Sequence, residues 1–175
     1  MAAGPRLVGM TDPDPQDRLV AIIDAERRSW RDLVAEVGTD RMSEPGPMGA
    51  WTFRDLIVHL LGWRERTIHR LEAVAAGRPD PPDPWPVDLD DDDDINDWFQ
   101  ARGAGRSTGE LLDAADRSYV RLGAALAAIP AETLTDPHGI SWLDGTAAVD
   151  VDWLSHLHDE HDGSIRAWLD TRDRD

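Results

Sequence analysis

The sequence contains no cysteine. Disulfides, thiolate metal sites and a cysteine nucleophile are therefore excluded. It contains no lysine either: all 18 basic residues are arginine, so no lysine Schiff base can form with a carbonyl substrate. Positive charge is scarce overall, and 35 acidic residues bring the formal net charge to −17. Such a surface repels phosphate, which argues against nucleic acid and anionic membranes as partners. No apolar run approaches the roughly 20 residues of a membrane-spanning helix. The opening stretch MAAGPRLVGMTDPDPQ has no signal-peptide core, and a cytoplasmic location is expected. Phe and Tyr are also rare, with two and one copies against eight Trp. Rings as large as indole fill a core or wall a pocket.

What is present points to helices. The length of 175 residues corresponds to one domain. Residues 1–13, rich in Pro, Gly and Asp, read as a flexible tail, 14–171 as the domain and 172–175 as a second tail. Asp14-Pro15 is an N-cap followed by proline at the first helical position. Leu19, Ile22, Ile23, Trp30, Leu33, Val34 and Val37 then follow at helical spacing up to Gly38. RMSEPGPMGA reads as a loop. Thr52 and Asp55 form a capping-box pair opening a second helix, which ends before Gly77. The stretch GRPDPPDPWPVDLDDDDD is an exposed, self-repelling connection, without the alternating ligands and glycine turn of a calcium loop. INDWFQAR is a short helix. Ser107 and Glu110 box the start of a third long helix that Pro130 stops. After a second long loop, a fourth helix is expected from about Asp150 to Thr171. No strand pair alternates convincingly. Four long helices, one short extra helix and two long crossover loops predict an all-α four-helix bundle.

The last helix carries WLSHLHDEHDGSIRAWL, with three of the six histidines. On a wheel at 3.6 residues per turn, Leu154, Leu157, Ile165 and Trp168 form the apolar centre, and His161 falls within it. His158 and Asp162 lie to one side, four apart, while His156 points almost the opposite way, towards water. Spacings of three and four let side chains meet at one point. Imidazoles with a carboxylate suit zinc, nickel or iron. A third ligand must come from another helix, and His59, at the edge of the apolar face of the second helix, is the candidate. A buried, hydrogen-bonded histidine beside two surface ones is the alternative. His69 and His138 fall outside this group.

MGAWTFRDLIVHLLGWRERTIHRL resembles the second-helix signature of the DinB-like superfamily: a tryptophan opening, an acidic residue, "HL", then another tryptophan. INDWFQARGAGRSTGELLDAADRSYVRL, LTDP and EHDGSIRAWL extend the resemblance over roughly residues 15–171. Within the superfamily the chain is most similar to the ClbS/DfsB branch and to the N-terminal domain of mycothiol-dependent maleylpyruvate isomerases. The resemblance implies a DinB-like four-helix bundle, often dimeric, with a pocket at one end. It implies a divalent metal, zinc or nickel, held by the histidine of "HL", here His59, and by two histidines four apart on the last helix. This chain departs from that pattern, since no histidine pair there is four apart. A site of His59, His158 and Asp162 is expected, with His161 as an alternative third ligand. A metal-free site, as in the ClbS type, is the other option.

The resemblance further implies an enzyme acting on a small electrophilic metabolite by hydrolytic or thiol-dependent ring opening, transfer or isomerisation. The nucleophile would then be water or a low-molecular-weight thiol such as mycothiol. His161 and Asp162 are the candidate catalytic groups. Trp63, Trp98 and Trp153 are candidate walls for the substrate, and Asn96, with Asp97, a candidate polar contact. The competing reading is a non-catalytic protein that sequesters a hydrophobic metabolite.

Overall fold

The computed structural model describes residues 14–172. The N-terminal tail and the last three residues, 173–175, lie outside the described residues. Helix α1 (Pro15–Val37) starts where the sequence marks it: the Asp14 side chain accepts from the Gln16 amide, and Gly38 closes the helix at a φ of 74°. A short antiparallel hairpin follows, β1 (Pro45–Met48) and β2 (Trp51–Thr52). No strand pair is legible in the sequence because strands of four and two residues are too short to show a period of two. The reciprocal Thr52–Asp55 box opens α2 (Phe53–Ala75).

Helix α3 (Asp92–Gly103) begins earlier than INDWFQAR suggested. Asp91 caps it, and Asp92, Asp93 and Asp94 form its first turn, where carboxylates meet the positive end of the helix. The acidic run is thus partly a helix start rather than all loop. The Ser107–Glu110 box opens α4 (Thr108–Ala127), and the short α5 (Ala131–Thr135) follows Pro130. The last helix differs most from expectation. Asp150 ends a short 3₁₀ turn, and helical backbone begins only at Ser155. Residues His156–His161 form a wide π-helical turn, which runs on into α6 (Asp162–Arg172).

Polar links between helices fix their directions. Gln16 reaches the Ala127 and Ile129 carbonyls while Arg27 and Arg31 clasp Asp116, so α1 and α4 are antiparallel. Arg54 donates to Arg106 O, Arg64 to Ser118 and Tyr119, and Glu72 accepts from Arg121, so α2 and α4 run the same way. His158 meets Glu26 and Arg166 meets Glu36, so the last helix runs with α1. Parallel neighbours demand the two long crossovers. Trp30, stacked on Phe53 at 5.8 Å between centroids, sits in the core with Leu56, Leu122 and Ile165. The architecture is the expected all-α bundle. Among the described residues, no helix is long and apolar enough to cross a membrane.

The hairpin braces the last helix at Gly46. Its φ is +147°, and a Cβ there would sit 2.2 Å from Trp168 Cδ1. Gly46→Ala is expected to cost about 3 kcal/mol, from backbone strain plus overpacking. Gly49, with φ +67° and open space around it, should lose only about 1 kcal/mol as alanine. Urea unfolding midpoints of the two variants check this, and equal losses would disprove the role of Trp168.

Candidate metal centre

Helix α2 sets one wall of the site. Its capping box fixes where the helix starts, and His59 lies two turns in, 5% exposed. The ring of Trp51, on β2, packs edge-on at 5.4 Å between centroids. From α3, Asn96 Oδ1 lies 2.8 Å from His59 Nδ1 and accepts from Trp63 Nε1 at 3.0 Å. The Trp63 indole can only donate, so the shared amide atom is the oxygen, an acceptor. His59 therefore donates from Nδ1, and its Nε2 lone pair faces the last helix.

That helix delivers two more imidazoles. His156 Nε2 lies 2.8 Å from His59 Nε2, and His161 Nε2 lies 3.3 Å from it. One ligand atom from each of the three residues falls within 4.8 Å of the others. The pairing across five positions follows from the wide turn. In an α-helix residues three and four apart share a face, whereas a π turn bonds i to i+5 and brings i and i+5 into line. The Asp162 amide indeed bonds Leu157 O.

This corrects the helical wheel. His156 does not point to water but into the bundle. His158, expected as a ligand, is half-exposed and bonds Glu26 Oε1 at 2.9 Å. Asp162 turns outwards, 3.4 Å from Arg166 Nε. The structure brings together His59 and His161 from the expected set, and His156 from outside it. Trp63 and Trp153 line a pocket of about 100 Å³ with His156, Leu60 and Tyr119. Trp98 is elsewhere, against Phe99 and beneath Arg102. It lines a cleft of about 720 Å³, which opens on another face of α2 beside Val58, Leu61 and Leu111. Asp97, His69 and His138 are exposed.

Electrostatics favour neutral rings. Burial, then the neighbouring His156 and His161, push His59 down to about 4, against the Asn96 hydrogen bond. Burial also lowers His156, with Glu160 opposing and Arg64 assisting. His161 is lowered by burial and by His156. At neutral pH the three rings are therefore uncharged, the protonation state from which an imidazole can bind metal. Tetrahedral zinc with Zn–N near 2.05 Å separates its ligand nitrogens by about 3.3 Å. The 2.8 and 3.3 Å spacings from His59 Nε2 are close to that edge and the third stays within 4.8 Å, so the donor set is of the kind such an ion takes.

Residues 23–161 match the family described as "Mycothiol maleylpyruvate isomerase N-terminal domain". The chain belongs to this family. It is thereby a DinB-like domain, and the matched range includes all three converging histidines. No curated protein and no solved structure matches the chain significantly. The resemblance implied a last-helix pair four apart. In this member of the mycothiol maleylpyruvate isomerase N-terminal domain family, the two last-helix histidines that approach His59 are five apart, and the wide turn brings them onto one face. Sequence reasoning also missed Glu160, whose carboxylate lies 3.6 Å from His156 Nε2, and Arg64, which lines the His156 pocket. The signal for His156 was the H-x4-H spacing in HLHDEH, meaningful only once a π turn is considered.

Proposed function

We propose that this chain is an enzyme of small electrophilic metabolites in which His59, His156 and His161 hold one divalent ion, zinc or nickel, and an external thiol of the mycothiol type is the nucleophile. The observation that carries the reading is the convergence of three neutral imidazoles from α2 and the last helix within 4.8 Å. An ion on three such ligands keeps a position open and lowers the pKa of a thiol or water placed there. The protein's own groups supply the rest. Asn96, held by Trp63, fixes the His59 ring. Glu160 is a carboxylate within reach of a proton released beside His156. Trp63, Trp153 and Leu60 exclude water from the pocket beside His156. With no cysteine or lysine in the chain, a sulfur nucleophile has to come from outside. The acidic surface makes a small molecule, rather than nucleic acid or an anionic membrane, the natural partner.

The test is metal content together with thiol-dependent turnover. Protein purified without chelator is expected to carry about one equivalent of zinc or nickel by elemental analysis. Mycothiol and maleylpyruvate, the pair in the family's name, are the first reactants to assay. Thiol-dependent consumption should disappear on chelation and return with the metal. Turnover that persists without metal or thiol would replace this reading with a ClbS-like hydrolase, in which an imidazole activates water.

One observation favours a second reading, sequestration without catalysis: the 720 Å³ cleft is much larger than the pocket at the histidines. A sequestering protein saturates at one equivalent of guest and shows no turnover.

A further inference from the structure

We propose that Arg64 is the anchoring residue of the histidine pocket, taking the carboxylate of a small acid. The proposal rests on the reading above that small molecules react beside the histidines. Arg64 follows His59 by five residues on α2 and is half-buried. It lines the 100 Å³ pocket together with His156, Trp63, Thr67 and Trp153. Its guanidinium donates to Ser118 Oγ at 2.9 Å and to the Tyr119 hydroxyl at 3.1 Å, and lies 3.9 Å from the centre of the Tyr119 ring. Every one of these partners is neutral. Arg66 and Arg70, on the same helix, turn outwards and pair with Asp83 and Asp80. Among the described residues, no carboxylate comes within ion-pair distance of Arg64, in a chain with 35 acidic side chains.

A half-buried cation with only neutral partners is left undercompensated. Two of the five donors on its rigid fork are taken by Ser118 and Tyr119, and the remaining three can still offer a carboxylate two parallel hydrogen bonds. Ser118 and the Tyr119 ring preset the plane of that fork, so little side-chain freedom is lost on binding. The pocket has room for a small acid's head rather than a bulky body. Arg64 is thus placed to position an acidic guest, its carboxylate at the guanidinium and the rest of the molecule beside His156. Arg64 positions the guest and takes no part in bond making.

Calorimetry on chelator-treated, full-length protein tests this with butyrate and butyramide, a pair of nearly equal shape that differ in charge. Butyrate is expected to bind about tenfold or more tightly than butyramide. Arg64→Gln should abolish that preference while still taking up one equivalent of added zinc. His156→Ala should do the reverse, losing zinc but keeping the preference, so failure of the histidine reading and failure of this one are distinct results. Equal affinity of wild type for the two probes overturns the proposal, as does a preference that survives Arg64→Gln. Should Arg64→Gln not fold, wild-type protein is treated with phenylglyoxal and the Arg64 peptide followed by mass spectrometry. Butyrate must slow its modification and butyramide must not; equal rates overturn the proposal.

Discussion

Replacing His156 with alanine is expected to strip bound zinc or nickel from the protein, whereas replacing His158 leaves it in place. The contrast is sharp because the two residues are neighbours but one, and an α-helical wheel assigns them the opposite roles. His156 Nε2 lies 2.8 Å from His59 Nε2, while His158 spends its nitrogen on Glu26. Loss of a direct ligand should weaken binding by more than about a hundredfold, the upper range for loss of a supporting group. His59→Ala and His161→Ala should behave like His156→Ala. Asn96→Ala, which frees the His59 ring to turn, should fall between, at about ten- to a hundredfold. Competition against a chelating dye measures all of these. A His158→Ala variant as metal-poor as His156→Ala would mean that the last turn is α-helical in solution.

The second large effect concerns acid. Metal-free protein should lose stability as pH falls from about 6.5 towards 4, and keep it above that window. His59 is held near 4 in the folded chain against an ordinary value of 6.5, so between those values the unfolded chain binds more protons, and acid favours unfolding. The groups facing His59 are Asn96, His156 and His161, with Glu160 and Arg64 next to His156. His156 and His161 are shifted the same way and add to the slope. For His59 alone the loss between pH 7 and pH 5 is about 2 kcal/mol. Asp116, held far below the usual carboxylate range by Arg27 and Arg31, contributes stability that is lost only at lower pH, as it protonates. Urea titrations at the two pH values, on wild type and on His59→Gln, isolate the histidine part. Equal slopes in the two proteins would show that His59 is not buried neutral.

Much of the bundle was legible because its helix starts are written locally. Asp14 with Pro15, Thr52 with Asp55, and Ser107 with Glu110 each satisfy orphan amides within a few residues, and such signals need no tertiary context. His161 was legible because a polar residue within an apolar stripe stands out, and His59, at the edge of its stripe, because a metal needs a ligand from a second helix and the "HL" of that helix carries the family resemblance. The partner of those two histidines was not. A wheel assumes one angular step for every residue, and the π turn breaks that assumption between Ser155 and Asp162. Leu157, Ile165 and Trp168 still face the core, so the apolar pattern gives no warning of the change. The hairpin escaped for want of length. Asp91–Asp94 misled because mutual repulsion suggests a loop, whereas a helix start can draw on the same charges.

The wide turn also divides the terminal helix into two phases. Beyond it, Ile165, Trp168 and Leu169 keep step with the core and the hairpin; at its first residue, His156 keeps step with α2. A regular helix would lock these together, so any adjustment of the packing end would swing the imidazole at the other. The surplus residue is what lets one continuous helix present the hairpin-facing side chains and both imidazoles in the places they occupy.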